Sequence, residues 1–275
     1  MSHFSLHLND IQWNCQRFGA GTKLLIAFHG FNRTSDDFHT FEKHLGDCYT
    51  IVAVDLIFHG KTQLAVSFSV NGNLFTKENL KELINAILEK ENKQRFSVMG
   101  YSFGGRLAMN CIQLFPEKVD KIILIASDAL RWNPGYYFAT KTFIGKSIFR
   151  LMTNNPEFVV SILGFLSTIR LIHPKAFEFY KNQLSFQLVR YKIYEVWMAH
   201  RNMVPDISIL EKNINKFQIH ALFIFGAYDR IILSKTGRKL IRSLNENANE
   251  VILDAGHRVL EKSQEISDEI RKYSK

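Results

Sequence analysis

Apolar residues fall in two rhythms along the chain. Short unbroken runs rich in β-branched and aromatic residues recur as LLIAFHG (Leu24–Gly30), TIVAVDL (Thr50–Leu56), FSVMGYS (Phe96–Ser102), IILIAS (Ile122–Ser127), HALFIFG (His220–Gly226) and EVILDAG (Glu250–Gly256). Runs of this length that do not alternate predict strands buried on both faces. Between them the spacing changes to that of helices. Leu80, Leu83, Ile84, Ile87 and Leu88 recur on one helical face behind a predicted N-cap at Thr76. A helix is predicted from about Gly104 to Leu114 and a closing one from Val259 to Lys272. Residues 3–9 and 11–18 alternate, which predicts an opening hairpin. Strands alternating with helices predict an α/β fold with a mostly parallel, doubly wound sheet.

The rhythm breaks after Ser127. From Arg131 to Lys216 the pattern predicts aromatic-rich helices and no strand. This divides the chain into a core of 1–130 and 217–275 and a helical insertion of 131–216. Charge follows the same division. The formal net charge is +9, and residues 131–216 carry twelve Lys/Arg against five Asp/Glu, a net +7. No compact Lys/Arg block occurs, so a nucleic-acid partner is not expected. The positive insertion fits a solvated face, an anionic substrate or peripheral contact with an anionic membrane.

Composition adds little else. Cys15, Cys48 and Cys111 are scattered, with no metal-ligand spacing, as for free thiols in a reducing compartment. The N-terminus lacks a signal-peptide pattern, and no apolar stretch approaches the roughly 20 residues that cross a bilayer. The expectation is a cytoplasmic protein without a transmembrane segment.

The chemistry concentrates where predicted strands end. Gly100-Tyr101-Ser102-Phe103-Gly104 fits G-x-S-x-G between a strand and a helix. The pentapeptide alone is a common chance match. In this context it describes a sharp turn that presents a serine hydroxyl at the carboxyl end of a sheet. A serine needs a base to act as nucleophile. His257, in DAGHRVL, follows the last predicted strand, and Asp229, in FGAYDRII, follows the one before it. The order Ser102, Asp229, His257 is nucleophile, acid and base. Asp128 is an alternative acid after the fourth strand, and Asp254 is assigned to a strand-end turn. For an oxyanion, the backbone N–H groups of Phe103 and Phe31 are the candidate donors, with His29 and Gly30 shaping the loop of Phe31.

HGF, VDLIFHGKT, GYSFGG, GAYD and AGH, in that order, resemble the motif set of the α/β-hydrolase superfamily. The resemblance covers nearly the whole chain and is weakest in the insertion. It implies a serine-nucleophile enzyme with a helical lid, a Ser102–Asp229–His257 triad, and neither metal nor organic cofactor. A serine at this turn argues against the branches that use aspartate there. One departure is Phe58, which stands where the family commonly has glycine, next to His59, read as a structural brace.

The implied reaction is hydrolysis of a small-molecule carboxylic ester or thioester, anionic or lipophilic. His29, Gly30, Tyr101 and Arg106 are the substrate-binding candidates. GYSFGGR, with Arg106, is also similar to the lyase branch of menaquinone biosynthesis, where the triad abstracts a proton and arginines hold carboxylates. A weakly catalytic ligand receptor on the same fold is a further alternative. In the insertion, Phe138, Phe143, Phe149, Phe158, Phe165, Tyr194 and Trp197 are candidates to roof an apolar pocket or to pack the lid helices.

Overall fold

The computed structural model describes residues 2–65, 75–169, 178 and 186–273. The described residues form two compact units, one from 2–65, 75–132 and 202–273 and the other within 133–201.

The first unit is built on a sheet of strands β1 (Ser2–Leu8), β2 (Ile11–Phe18), β3 (Lys23–Phe28), β4 (Tyr49–Val54), β5 (Gln63–Leu64), β6 (Phe96–Tyr101), β7 (Val119–Ile125), β8 (His220–Gly226) and β9 (Ala248–Leu253). Their order is β1-β2-β4-β3-β6-β7-β8-β9, with β5 beside β2. β1 and β2 form the expected antiparallel hairpin, and β2 also runs antiparallel to β4. From β4 to β9 every neighbouring pair is parallel. The six predicted runs are these six parallel strands, each shifted by at most three residues at its start; five are buried as expected, while β9, at the edge of the sheet, is only partly buried, with Ile252 exposed.

Strand parity divides the core into two layers. Leu25, Ala27, Met99, Tyr101, Ile123 and Ile125 join one cluster with Phe38, Phe41, Ile266 and Ile270. That face is covered by a short 3₁₀ segment (Ser35–Phe41), α1 (Glu42–Leu45) and the last helix, Ser263–Lys272. On the other side, α2 (Lys77–Lys90) packs on α3 (Gly105–Leu114). Thr76 caps α2 as predicted, accepting the Asn79 N–H while Asn79 Oδ1 accepts the Thr76 N–H at 3.0 Å.

The chain passes from β3 outward to β4 and then to β6 on the other side of β3. This reversal opens a crevice beyond the carboxyl ends of β3 and β6. The loops after β3, β4, β6, β8 and β9 emerge along that edge.

The second unit contains α4 (Pro134–Lys141), α5 (Phe143–Asn154), α6 (Pro156–Thr168) and α7 (Gln187–Ala199). Side chains of Asn133 and Thr142 cap α4 and α5. Its aromatic centre is Tyr136, Phe149, Tyr194 and Trp197, with Phe149 lying 5.1 Å from Tyr194 and 5.7 Å from Trp197 between ring centroids. Part of the expected insertion, 170–177 and 179–185, lies outside the described residues.

Helix α8 (Ile207–Phe217), read from sequence as part of the insertion, belongs to the first unit. It packs on α3 through a face that buries Leu210 and Ile214. Buried Asn110 of α3 donates to the Met203 carbonyl at 2.9 Å, and Gln113 donates to the Asp206 carbonyl at 2.9 Å. The chain leaving the second unit is therefore tied directly to α3.

Candidate active site

Ser102 stands between β6 and α3 with φ +49°, in the left-handed region. A non-glycine residue there is strained by roughly 1–2 kcal/mol. The surrounding packing holds it. A Cβ on Gly104 would come 2.1 Å from the Phe28 carbonyl oxygen, and one on Gly100 would come 2.6 Å from Gly105 Cα. Only glycine lets strand, turn and helix approach this closely. Behind the turn, the Asp128 N–H donates to the Ser102 carbonyl at 2.9 Å.

A single line of hydrogen bonds leads away from this serine. Ser102 Oγ lies 3.1 Å from His257 Nε2, and His257 Nδ1 lies 2.8 Å from Asp229 Oδ2. With the carboxylate as acceptor, Nδ1 carries the proton and Nε2 is free to accept from the hydroxyl. Asp229 is buried. Its other oxygen, Oδ1, accepts the N–H groups of Ile231 at 2.8 Å and Ile232 at 2.9 Å, which fixes the carboxylate plane. The loops bearing Asp229 and His257 are laced together as well. Ala227 N–H donates to the Leu253 carbonyl and Tyr228 N–H to the Ala255 carbonyl.

The loop after β3 lies against the serine, since a Cβ on Gly30 would stand 3.2 Å from Ser102 Cβ. Two buried histidines set its shape. His29 Nδ1 is 2.7 Å from the Gly30 carbonyl, and its Nε2 accepts the Leu56 N–H at 3.0 Å. His59 Nδ1 is 2.9 Å from the Ile57 carbonyl, and its Nε2 accepts the Asn32 N–H at 3.0 Å. Each imidazole thus carries its proton on Nδ1 and joins the loop after β3 to the loop after β4. Phe31, between the residues they fix, lies edge-on to the His59 ring.

The loop after β4 is organised by Asp55, which accepts from Ser35 N–H at 2.7 Å, Lys61 N–H at 2.8 Å and Asn14 Nδ2 at 2.8 Å. Burial pushes the Asp55 pKa up, but these donors outweigh it and hold the carboxyl below its ordinary value. Gly60, at φ +55°, makes room for that carboxylate. Phe58 occupies φ +64°. The departure noted in the sequence therefore falls where the backbone favours glycine, and the fold accepts the strain.

The structure brings Ser102, His257 and Asp229 together and gives three of the four substrate-binding candidates other duties. Tyr101 is buried and donates its phenol to the His257 carbonyl at 2.9 Å. Arg106 is buried and bonds Asp128 Oδ2 through Nε at 2.7 Å, with its guanidinium over the Phe103 ring. It is an internal ion pair, not a free carboxylate clamp, and Asp128 serves Arg106 instead of His257. His29 is fully buried between two loops. Gly30 is buried too, but it packs directly against Ser102.

A family profile described as alpha/beta hydrolase fold matches residues 23–156. The chain has the α/β-hydrolase fold. It is 24% identical over 251 residues to the uncharacterised hydrolase YugF of Bacillus subtilis, covering 90% of this chain and 88% of the relative. It is 21% identical over 253 residues to human monoacylglycerol lipase ABHD6, covering 86% and 70%. Among solved structures, a thermophilic esterase from Thermogutta terrifontis superposes with a TM-score of 0.67 at 17% identity, covering 99% of this chain and 98% of the other.

The sequence reading missed the supports around the line of hydrogen bonds. The Tyr101 bond joins residues 156 positions apart, and Asn14 reaches Asp55 across 41. The strand period did carry one signal, because Tyr101 shares parity with Met99 and so faces the layer into which residues 257–270 fold. Cys15 and Cys111 are buried, and burial pushes both thiols up, away from nucleophilic use. Among the described residues no group of three or more His, Cys, Asp or Glu is placed to hold a metal ion, and no helix is long and apolar enough to cross a membrane.

Proposed function

We propose that the protein hydrolyses a carboxylic ester or thioester through an acyl-enzyme formed on Ser102. The observation that carries this reading is the unbroken contact from Ser102 Oγ to His257 Nε2 and from His257 Nδ1 to buried Asp229. His257 takes the hydroxyl proton as Oγ attacks the substrate carbonyl, and Asp229 holds the imidazole in the tautomer that can accept it. The oxyanion that forms is bound by the N–H groups of Phe31 and Phe103, the latter at the start of the turn leading into α3, where peptide dipoles favour negative charge. His257 returns its proton to the departing alcohol or thiol. It then takes a proton from water, which attacks the acyl carbon, and gives it to Ser102 as the acid leaves.

The named activities of relatives, a lipase and an esterase, support the same reaction class. The engagement of Arg106 by Asp128 removes the feature that suggested a carboxylate-binding lyase. The assignment is tested by incubating the protein with a fluorophosphonate and mapping the adduct by mass spectrometry. Wild type is expected to carry it on Ser102, and Ser102→Ala on no residue. A panel of p-nitrophenyl esters and acyl thioesters of graded chain length then reads the substrate class. Absence of labelling in wild type, with no turnover of any ester, would overturn the proposal in favour of a binding role.

A further inference from the structure

The second unit carries more apolar surface than its own packing uses. On α6, Phe158, Ile162, Phe165 and Ile169 are 56%, 43%, 64% and 47% exposed. Their spacing of four, three and four residues sets them in one stripe along the helix. The only charge on α6 is Glu157, in its first turn. A helix apolar nearly all round belongs in a core or at an apolar medium. On α5, joined to α6 at Asn155, Ile144 and Ile148 are 64% and 43% exposed one turn apart. The same helix carries Lys146 and Arg150 on its other side. Exposed apolar side chains concentrated in this way on two consecutive helices mark a docking face.

Charge selects among the possible occupants. The stretch 133–201 holds nine Lys/Arg against three Asp/Glu, a net +6, which repels a second copy of itself and favours an anionic surface. The 13 residues of α6 extend about 20 Å, too short for the roughly 30 Å hydrocarbon core of a bilayer. An apolar stripe on a helix too short to span, in a basic setting, fits the plane of a lipid interface. We propose that α5 and α6 dock this protein on the surface of an anionic phospholipid bilayer, with the stripes of Ile144/Ile148 and Phe158–Ile169 entering the headgroup boundary. This inference does not depend on the chemistry assigned to Ser102.

The test is co-sedimentation of the full chain with vesicles of phosphatidylcholine alone and of phosphatidylcholine mixed with phosphatidylglycerol. Binding is expected to the mixed vesicles and to weaken as salt is raised. Phe158→Ser with Phe165→Ser is expected to lower the partition coefficient at least tenfold, since each phenylalanine withdrawn from water is worth on the order of a decade in affinity. Lys146→Gln with Arg150→Gln is expected to lower it up to about 25-fold at low salt, about fivefold per basic residue. The salt dependence of the wild type needs no variant, so a variant that fails to fold leaves the test decisive. Three results would overturn the proposal. One is equal or absent binding to the two vesicle types. Another is a concentration-dependent dimer, seen by light scattering, that the phenylalanine changes abolish. The third is variants that bind vesicles normally but lose turnover of a short soluble ester, which would make the face a substrate path.

Discussion

Tyr101→Phe removes one hydroxyl and nothing else. That hydroxyl is buried, donates to the His257 carbonyl at 2.9 Å, and belongs to a ring 5.6 Å from the imidazole. Burial pushes the phenol pKa up to about 12, so it stays a donor at every pH where the site operates. Deleting it costs the net hydrogen bond, about 0.5–1.5 kcal/mol, and leaves a partly buried carbonyl unpaired, so the total is about 1–2 kcal/mol. For a chain of this size that corresponds to a fall in Tm of roughly 2–8 °C. His257 is held at two points, by Asp229 at Nδ1 and by Tyr101 at its own backbone. Losing the second lets the ring drift relative to Ser102. A displacement of a few tenths of an ångström costs on the order of tenfold in rate, given that a full ångström costs about a hundredfold. Thermal unfolding and steady-state hydrolysis of p-nitrophenyl butyrate measure both quantities. The expected pattern is lower stability with lower kcat and little change in KM. If Tm stays within a degree and kcat within twofold of wild type, the phenol does not position His257 and the reasoning fails.

Other expectations follow from the same contacts. Asp229→Asn should lower kcat about 10⁴-fold by favouring the wrong imidazole tautomer, and circular dichroism should show the fold retained. Gly104→Ala places a methyl 2.1 Å from the Phe28 carbonyl oxygen, so soluble expression should be lost. Gly135→Ala meets nothing closer than 3.5 Å and should raise stability by up to about 1 kcal/mol, which a urea titration can resolve. Lys121 is buried, donates to the Ile270 carbonyl, and burial lowers its pKa to about 8. The unfolded chain holds this proton more tightly, so wild type should gain on Lys121→Met by up to about 1.4 kcal/mol per pH unit between about pH 8 and 10.5. A stability difference flat across that range would refute the assignment.

The parts of the fold legible in sequence are those fixed by local chemistry. Unbroken apolar runs located the inner parallel strands because a strand buried on both faces has few polar positions, whereas β9 kept a short apolar run although it lies at the sheet edge with Ile252 exposed. The serine turn was legible because glycines on both sides are a packing requirement written into the chain. Thr76 announced α2 because its cap is satisfied three residues away. What remained hidden depends on distant pairing. Arg106 looked like a substrate contact because nothing in GYSFGGR discloses that Asp128 meets it. The strand Gln63–Leu64 is too short for periodicity and exists through its register with Ile11 and Gln12. Helix α8 was read only as part of the helical insertion, because its partner, α3, lies about a hundred residues earlier.

The anchoring of residues 203–206 on α3 has a further consequence. Everything between Trp132 and Asn202 is an excursion whose exit is pinned by Asn110 and Gln113 to the helix that backs the serine turn. A segment spliced into a scaffold through fixed doorposts can be trimmed, extended or traded for another without the host re-solving its own folding. In such an architecture the excursion evolves as a replaceable module, while the sheet and the turn that host it stay unaltered.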